Sequence, residues 1–162
     1  LIRRQRQMCI RDRGYRITDL SYKPTDELVR YLAGAAGRGG NLLLNIGPQP
    51  DGALPAAALE RLAGIGAWLR ENGETIYGTQ AGPVTPRAWG VTTRRGDKIY
   101  IHVLDWPDAE LFVPIRGERV REAKAFADGR RLEFRQDEEG VTRRLGKRTA
   151  GPDHIVELTM GK

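Results

Sequence analysis

The chain has 162 residues, a hydrophobic fraction of 40% and a formal net charge of +6, which together support a packed core and exclude wholesale disorder. Five arginines and one aspartate in residues 1–13 supply +4 of that charge, so the remaining 149 residues carry only +2. The excess positive charge is therefore concentrated in an N-terminal tail, and we expect no nucleic-acid partner. No apolar run approaches the ~20 residues of a membrane helix, so we expect no membrane partner.

Residues 1–13 show no helical or strand periodicity that continues into the rest of the chain. The run from Gln7 to Arg13 looks like translated sequencing adapter, so we predict that residues 1–13 are foreign sequence, disordered or loosely attached. No apolar h-region follows the basic start, and no signal peptide is predicted. The single cysteine, Cys9, excludes an internal disulfide.

Residues 14–79 have the pattern of an α/β layer, with a strand between two helices. The first helix is predicted over residues 25–37, with Thr25 as its N-cap. The second helix is predicted over residues 55–72, with Pro55 in the first turn. Its inward stripe is predicted as Ala58, Leu62, Ile65 and Leu69.

The strand between the helices is predicted over residues 42–46, with Gly47-Pro48 as its stop. A short apolar run bounded by turn residues predicts a strand that is buried on both faces, as in a parallel sheet. Alternation places Asn45 with Leu43 on one face and the other apolar residues on the opposite face. In a (β/α) barrel, the carboxyl end of such a strand is where the chemistry occurs.

Residues 80–87 are rich in glycine and proline and are predicted as a linker between domains. From residue 88 the pattern changes to short strands separated by turns, and Arg95-Gly96-Asp97 predicts a hairpin. Strands at this spacing predict an antiparallel β-sandwich over residues 88–162. The seven predicted strands are residues 89–94, 98–104, 110–115, 119–127, 131–135, 141–145 and 154–158.

Several chemistries are excluded by simple counts. Ser21 is the only serine and no G-x-S-x-G motif occurs, which excludes a serine hydrolase. Two histidines and one cysteine at no ligand spacing predict no metal site, and no phosphate-binding glycine motif is present, so no cofactor is expected. Asp51, Glu74 and Asp105 are favoured as turn, loop or capping acids. Nothing supplies the two facing carboxylates of glycoside hydrolysis, and we predict no catalytic residue.

Asn45 has two open interpretations. It either holds the loops at the strand end, which we favour, or reaches a substrate hydroxyl. Trp68, Trp89 and Trp106 are expected in the cores of their domains rather than as sugar platforms. His102, on a predicted strand, is expected to be a half-buried packing residue.

Four segments carry a family resemblance: Gly39-Gly-Asn-Leu-Leu-Leu-Asn-Ile-Gly-Pro48, Asp51-Gly52, the Glu60-Arg-Leu…Ile65-Gly-x-Trp68-Leu pattern and Asn72-Gly-Glu-x-Ile-Tyr-Gly-Thr79. Through them, residues 14–79 resemble the end of the catalytic domain of glycoside hydrolase family 29, the α-L-fucosidases. Residues 88–115 are similar to the start of that family's C-terminal β-sandwich, including Tyr100-Ile-His102. The family often has Ser-Trp-Gly-Tyr where this chain has Asp12-Arg13-Gly14-Tyr15, so the resemblance breaks at the tail.

The resemblance implies the last βα elements of a (β/α)8 barrel followed by an antiparallel β-sandwich, and retaining hydrolysis of terminal α-L-fucose from glycoconjugates. The family's nucleophile is an Asp on a middle strand, with a Glu acid/base in many members, and both would precede residue 14. Gly14, Tyr15 and Asn45 are then the residues expected near the sugar pocket. We expect the isolated chain to be inactive and its first 80 residues to be marginally stable, because a barrel buries its sheet only when closed.

A fucosylated glycan would be the substrate of the full-length enzyme. The alternative is a non-catalytic β-sandwich module that binds glycan or a partner domain, stabilised by sugar through Trp89 or Trp106. The resemblance implies a periplasmic, secreted or lysosomal location, and it leaves oligomeric state and fucose linkage open.

Overall fold

The structure of the protein is a computed structural model, which describes residues 6–7, 21–106, 110–145 and 151–161. Two helices, α1 (Thr25–Ala36) and α2 (Ala56–Asn72), are followed by a short 3-10 turn at Gly73–Thr75. The strands of the described residues are β1 (Arg6–Gln7), β2 (Leu42–Leu43), β3 (Gln80–Ala81), β4 (Gly90–Arg95), β5 (Lys98–Val103), β6 (Glu110–Val113), β7 (Val120–Ala125), β8 (Arg135–Gln136), β9 (Val141–Arg144) and β10 (His154–Met160). None of the described helices is long and apolar enough to cross a membrane.

Helix α1 forms within one residue of its predicted bounds, and it buries Leu28 and Val29. Its N-cap is Pro24, so the prediction that Thr25 caps the helix is wrong. Thr25 is already helical, and its side chain lies against Gly64 of α2, where a Cβ would clash with it. The two helices therefore pack closely at a point where α2 has no side chain.

Helix α2 also forms close to its predicted bounds, but most of its surface is exposed. Ala58 is its one buried residue, whereas Leu62 is 36% and Leu59 is 50% exposed. Trp68, which we expected in the core, is half-buried. The apolar stripe of α2 is thus only partly covered by the described residues.

The predicted central strand is shorter and more exposed than expected. Strand pairing extends only over β2, while Leu44 and Ile46 continue the segment as half-buried residues on the same face as Leu42. Leu43 and Asn45 lie on the other face and are exposed, so the predicted alternation is present. The expectation of burial on both faces is wrong, because the described residues cover only one of them.

Strand β1 lies in the segment predicted to be foreign. Its backbone pairs in parallel with β2, with Arg6 opposite Leu42 and Gln7 opposite Leu43. Part of that segment therefore lies beside the central strand, and its foreign origin stays a prediction.

Strands β3 to β10 form an antiparallel β-sandwich. One sheet has five strands in the order β3-β4-β5-β10-β7, and the other has three in the order β6-β9-β8. Neighbouring strands in both sheets are antiparallel. The core cluster consists of Val84, Trp89, Ile99, Ile101, Val103, Leu111, Val113, Ile115, Val120, Ala123, Ala125, Leu132, Val141, Leu145, Val156, Leu158 and Met160.

Six of the seven predicted strand regions correspond to a strand, and the hairpin between β4 and β5 is confirmed. The predicted strand 131–135 is largely wrong, because only an isolated bridge at Arg131 and the first residue of β8 lie in it. Arg95 pairs with Lys98 across a two-residue turn, and Gly96 has a φ of 60°, which favours glycine. An additional short strand, β3, lies inside the predicted linker. Its position between turn residues gave no periodic pattern that could have predicted it.

The five-stranded sheet is buried on both faces near its centre. The isoleucines of β5 face the sandwich core, whereas Tyr100 and His102 lie on the opposite face and are 0% exposed. Residues 21–79, which we call the helical segment, cover that face. Gly37 at the end of α1 lies against Val91 of β4 so closely that a Cβ on Gly37 would clash.

Candidate functional site

Asn45 lies at the carboxyl end of the central segment, where the sequence predicts a substrate site. It is exposed and shares its face with Leu43, so the assumption that it is buried is wrong for this chain. Gly14 and Tyr15, the other two predicted pocket residues, lie outside the described residues. Of the three predicted pocket residues, the described part of the chain therefore contains Asn45 alone.

Asp51, in the loop after Asn45, is held as a turn residue. Its Oδ1 accepts a hydrogen bond of 3.0 Å from the Ala53 backbone N–H, and Gln49 and Ala53 close the turn at 2.8 Å. This is the local side-chain-to-backbone bond that aspartate makes in tight turns. The geometry confirms the predicted turn role of Asp51.

An open cleft of about 800 Å³ lies near the opposite end of β2. Its lining includes Leu32, Gly40, Leu42, Ile76 and Tyr77, and it contains no Asp, Glu, Lys, Arg or His side chain. Among the described lining residues, only the Tyr77 phenol could exchange a proton, so the cleft lacks the pair of carboxylates that glycoside hydrolysis uses. This cleft thus lies at the end of β2 away from Asn45.

A polar cluster lies at the junction between the helical segment and the five-stranded sheet. Glu74 accepts hydrogen bonds from the Tyr100 hydroxyl at 2.8 Å and from Lys98 Nζ at 3.3 Å. Lys98 also contacts Glu157 at 3.3 Å, so one ammonium group bridges two carboxylates. Two carboxylates held by one lysine are a pair to be tested for a catalytic role.

The protonation of this cluster argues against acid–base catalysis. The hydrogen bonds from Tyr100 and then Lys98 lower the pKa of Glu74 below its usual range. Burial, together with the bond to Glu74, raises the pKa of Tyr100. A general acid needs a carboxyl whose pKa is raised toward neutrality, so Glu74 has the wrong shift for that role. The cluster instead ties the turn after α2 to β5 and β10.

A fully buried polar chain runs beside it. His102 Nδ1 lies 2.6 Å from Asp153 Oδ2, and His102 Nε2 lies 3.2 Å from Thr93 Oγ1. The Thr93 hydroxyl in turn donates to the Thr75 carbonyl oxygen at 2.7 Å. The side chains of His102 and Asp153 are 0% exposed.

Sequence reasoning missed this chain of contacts. His102 was expected to be half-buried, which is wrong, and Asp153 was not considered at all. Asp153 follows Gly151-Pro152, a context that predicts only a turn, and it is 51 positions from His102. A histidine on the face of β5 opposite the isoleucine stripe was the available signal, since such a residue is either solvated or needs a buried partner.

The tryptophans of the sandwich are not free sugar platforms. Trp89 is 9% exposed and belongs to the core cluster. Trp106 packs against that cluster and makes an edge contact with His154 at 5.1 Å between ring centroids. The expectation of a core position is confirmed for Trp89, whereas Trp106 is only half-buried at the edge of the cluster. Among the described residues there is also no group of three or more His, Cys, Asp or Glu side chains that could hold a metal ion.

The chain is similar in sequence to known α-L-fucosidases. The family model "Alpha-L-fucosidase" matches residues 4–74, which include α1, β2 and α2. Rat plasma alpha-L-fucosidase is 39% identical over 119 residues, which are 68% of this chain and 26% of that protein. The matched residues begin inside the segment predicted to be foreign.

Solved structures extend the likeness to the sandwich. Alpha-L-fucosidase isoenzyme 1 from Paenibacillus thiaminolyticus matches with a TM-score of 0.82 and 30% identity, over 93% of this chain and 38% of that one. The glycoside hydrolase family 29 fucosidase from Bacteroides thetaiotaomicron, trapped as a covalent intermediate, matches with a TM-score of 0.82 and 25% identity, over 93% and 36% of the two chains.

These relatives are glycoside hydrolases, and the described β-sandwich matches the sandwich of fucosidases. The chain belongs to the α-L-fucosidase family, as its sequence motifs indicate. It spans about a quarter of the length of the first curated relatives that it matches.

Proposed function

We propose that this chain is the C-terminal part of an exo-α-L-fucosidase that removes terminal α-L-fucose from glycoconjugates. Residues 14–79 would close a (β/α)8 barrel, residues 80–87 would link the domains, and residues 88–162 would form the accessory sandwich. The observation that carries the proposal is the structural match, which takes in 93% of this chain but only 38% of a fucosidase. Hydrolysis would be retaining, with two carboxylates roughly 5–5.5 Å apart, and the covalent intermediate trapped in the Bacteroides relative supports this.

Exposed apolar residues around β2 and α2 support the barrel assignment. Leu43 is 48%, Leu54 is 39% and Leu59 is 50% exposed, all within residues that belong to the helical segment. A barrel surrounds its strands on both sides, so the last strand and helix would lose cover if the preceding elements were missing. The pattern of exposure is the one expected for the closing elements of a barrel seen without the rest.

The first test is an activity assay. The purified 162-residue chain should give no turnover of an aryl α-L-fucoside, while a full-length family member should cleave it under the same conditions. Catalysis needs a nucleophile and an acid/base, and we propose that both precede residue 14. Detectable turnover that survives purification to homogeneity would contradict the proposed inactivity without touching the family assignment.

Gly14, Tyr15 and Asn45 are the proposed substrate-binding residues. In the full-length parent, Asn45→Ala should lower kcat/KM about tenfold, because one hydrogen bond to a sugar hydroxyl is worth about 1–1.5 kcal/mol. Asn41→Ala is the matched control, since Asn41 is also an exposed asparagine of this segment but lies near its other end. Equal effects of the two substitutions would assign Asn45 a structural role instead.

The alternative function is a glycan-binding or domain-binding sandwich with no catalysis. The burial of Trp89 argues against it, because a 9% exposed ring has no open face for a sugar. A binding module predicts that fucose raises the melting temperature of the chain, and the fragment proposal predicts no shift. A dose-dependent shift that is lost in Trp106→Ala would favour the binding module.

A further inference from the structure

The buried chain from Asp153 to Thr75 has an unusual proton requirement. The Thr75 carbonyl can only accept, so at 2.7 Å the Thr93 hydroxyl proton must point toward it. Thr93 Oγ1 has then used its single proton and can only accept from His102 Nε2, which lies 3.2 Å away. Nε2 therefore carries a proton.

The other ring nitrogen faces a carboxylate. Nδ1 lies 2.6 Å from Asp153 Oδ2, and one of these two atoms must also carry a proton for the contact to be attractive. A neutral imidazole with an ionised aspartate has one proton to share between Nδ1 and Nε2, which is one fewer than the geometry needs. The geometry places this additional proton between Nδ1 and Oδ2. On the ring it creates two opposite charges whose nearest atoms are 2.6 Å apart, and such charges attract strongly in a buried site.

We infer that His102 and Asp153 form a buried imidazolium–carboxylate pair that fastens the helical segment to the β-sandwich through Thr93 and Thr75. The ring donates a hydrogen bond to Asp153 with Nδ1–H and another to Thr93 with Nε2–H. The Thr93 hydroxyl in turn donates a hydrogen bond to the Thr75 carbonyl, in the turn that follows α2. This pair is a protonation site that the proposed fucosidase activity does not use.

The surroundings of the pair leave the ring and the carboxylate to balance each other. Across the sheet, His102 lies opposite Val91 of β4 and Ile155 of β10, which are apolar. The second oxygen of Asp153, Oδ1, is buried and has no hydrogen-bond donor within the described part of the chain. An ionised carboxylate in such a place needs a cation, and the imidazolium supplies it.

The test is the protonation of the ring, read by NMR on the ¹⁵N-histidine-labelled 162-residue chain near neutral pH. The sequence has two histidines, so the variant His154→Gln assigns the spectrum. His102 is expected to give two slowly exchanging ring N–H signals, with both nitrogens in the protonated range. A single ring N–H from His102 in the folded chain would overturn the inference.

A second variant tests whether the charge depends on the partner. In Asp153→Asn the ring loses its counter-charge, so one of the two ring N–H signals should disappear. Asp51→Asn is the control, because it neutralises an exposed turn acid and should leave both signals unchanged. Retention of both signals in Asp153→Asn would also overturn the inference. If that variant does not fold, the spectrum of the unmodified chain still decides.

Discussion

The β-sandwich and the helical segment bury their apolar residues to different extents. Among its described residues, the sandwich has a core cluster of seventeen, each no more than 9% exposed, from both sheets and their connections. The helical segment buries only a few apolar side chains, chiefly Leu28, Val29 and Ala33, and leaves Leu43 and Leu59 about half exposed. One region closes a core of its own, whereas the other presents apolar surface that the described residues do not cover.

This difference in burial implies that the sandwich is stabilised by its own core, whereas the helical segment is stabilised by contacts with other parts of the protein. A region that encloses its core can fold from its own contacts, since burial of apolar area is the main favourable term. A region with half-exposed leucines obtains little from them, and its order depends on what it packs against. The helical segment packs on the face of the five-stranded sheet that points away from the sandwich core. Gly37, Thr75 and Glu74 make these contacts.

The largest expected effect comes from the sandwich core. Leu158 on β10 is 1% exposed, so Leu158→Ala should lower the free energy of unfolding by about 2–5 kcal/mol through lost burial and a residual cavity. The matched substitution Leu59→Ala, at a residue that is 50% exposed, should change it by no more than about 0.5 kcal/mol. Urea unfolding followed by tryptophan fluorescence measures both. Equal losses would mean that the two regions share one cooperative core.

A smaller effect is expected at the junction of the two regions. A Cβ on Gly37 would clash with Val91, so Gly37→Ala should destabilise the packing of α1 on β4 by about 1–3 kcal/mol. The control is Gly66→Ala in α2, where a Cβ meets nothing within 4 Å and alanine should stabilise the helix by about 0.5–1 kcal/mol.

Hydrogen exchange distinguishes local from global loss in Gly37→Ala. Amides of α1 should exchange faster while those of β5 and β10 keep their protection, because the sandwich core does not depend on the clash site. Loss of protection in both regions together would show that the sheet needs the helical segment in order to fold.

The sequence predicted the sandwich better than it predicted the helical segment, and the reason is physical. Alternation along β5 and a glycine turn at residue 96 are local signals, and they placed the hairpin correctly. The burial of Tyr100 and His102 is not local, because it depends on residues 73–75 and 153 arriving at the same face. No pattern within one strand reports which second layer will cover it.

The central strand shows the same limit in the opposite direction. Its apolar composition is that of a strand buried on both faces, yet Leu43 is 48% exposed. The alternation of Leu43 and Asn45 against the other apolar residues was correct because it depends only on strand geometry. The degree of burial was wrong because it depends on neighbours, which we propose belong to the rest of the barrel.

An ion pair within the sandwich should contribute less than the core. Arg94 donates two hydrogen bonds to Glu118, at 2.7 and 2.8 Å, which join β4 to the residues before β7. This contact lowers the pKa of Glu118, so its contribution to stability is fully present above the ordinary glutamate pKa and is lost as the pH falls below that value through the lowered one.

The side chains of this pair are about one-third exposed, so Glu118→Gln should cost at most about 1 kcal/mol. Glu139→Gln is the control, because Glu139 and its partner Arg116 are both about two-thirds exposed, and the change should be undetectable. Urea midpoints at neutral pH measure both. An equal loss in the two variants would show that solvent exposure does not set the value of these pairs.

The smallest expected effect is a pH dependence that arises at His154, where β10 begins. Burial, followed by the positive charge of Arg143, lowers the pKa of His154, so the folded state binds fewer protons there than the unfolded state does. The contribution of His154 to stability is therefore fully present above the ordinary histidine range and is lost as the pH falls through it. Denaturation midpoints of the chain and of His154→Gln, compared at about pH 8 and about pH 5.5, isolate this term. Lowering the pH should decrease the midpoint of the unmodified chain more than that of His154→Gln. A shift in the other direction would mean that His154 is charged in the folded sandwich, and that the edge contact with Trp106 holds an imidazolium rather than a neutral ring.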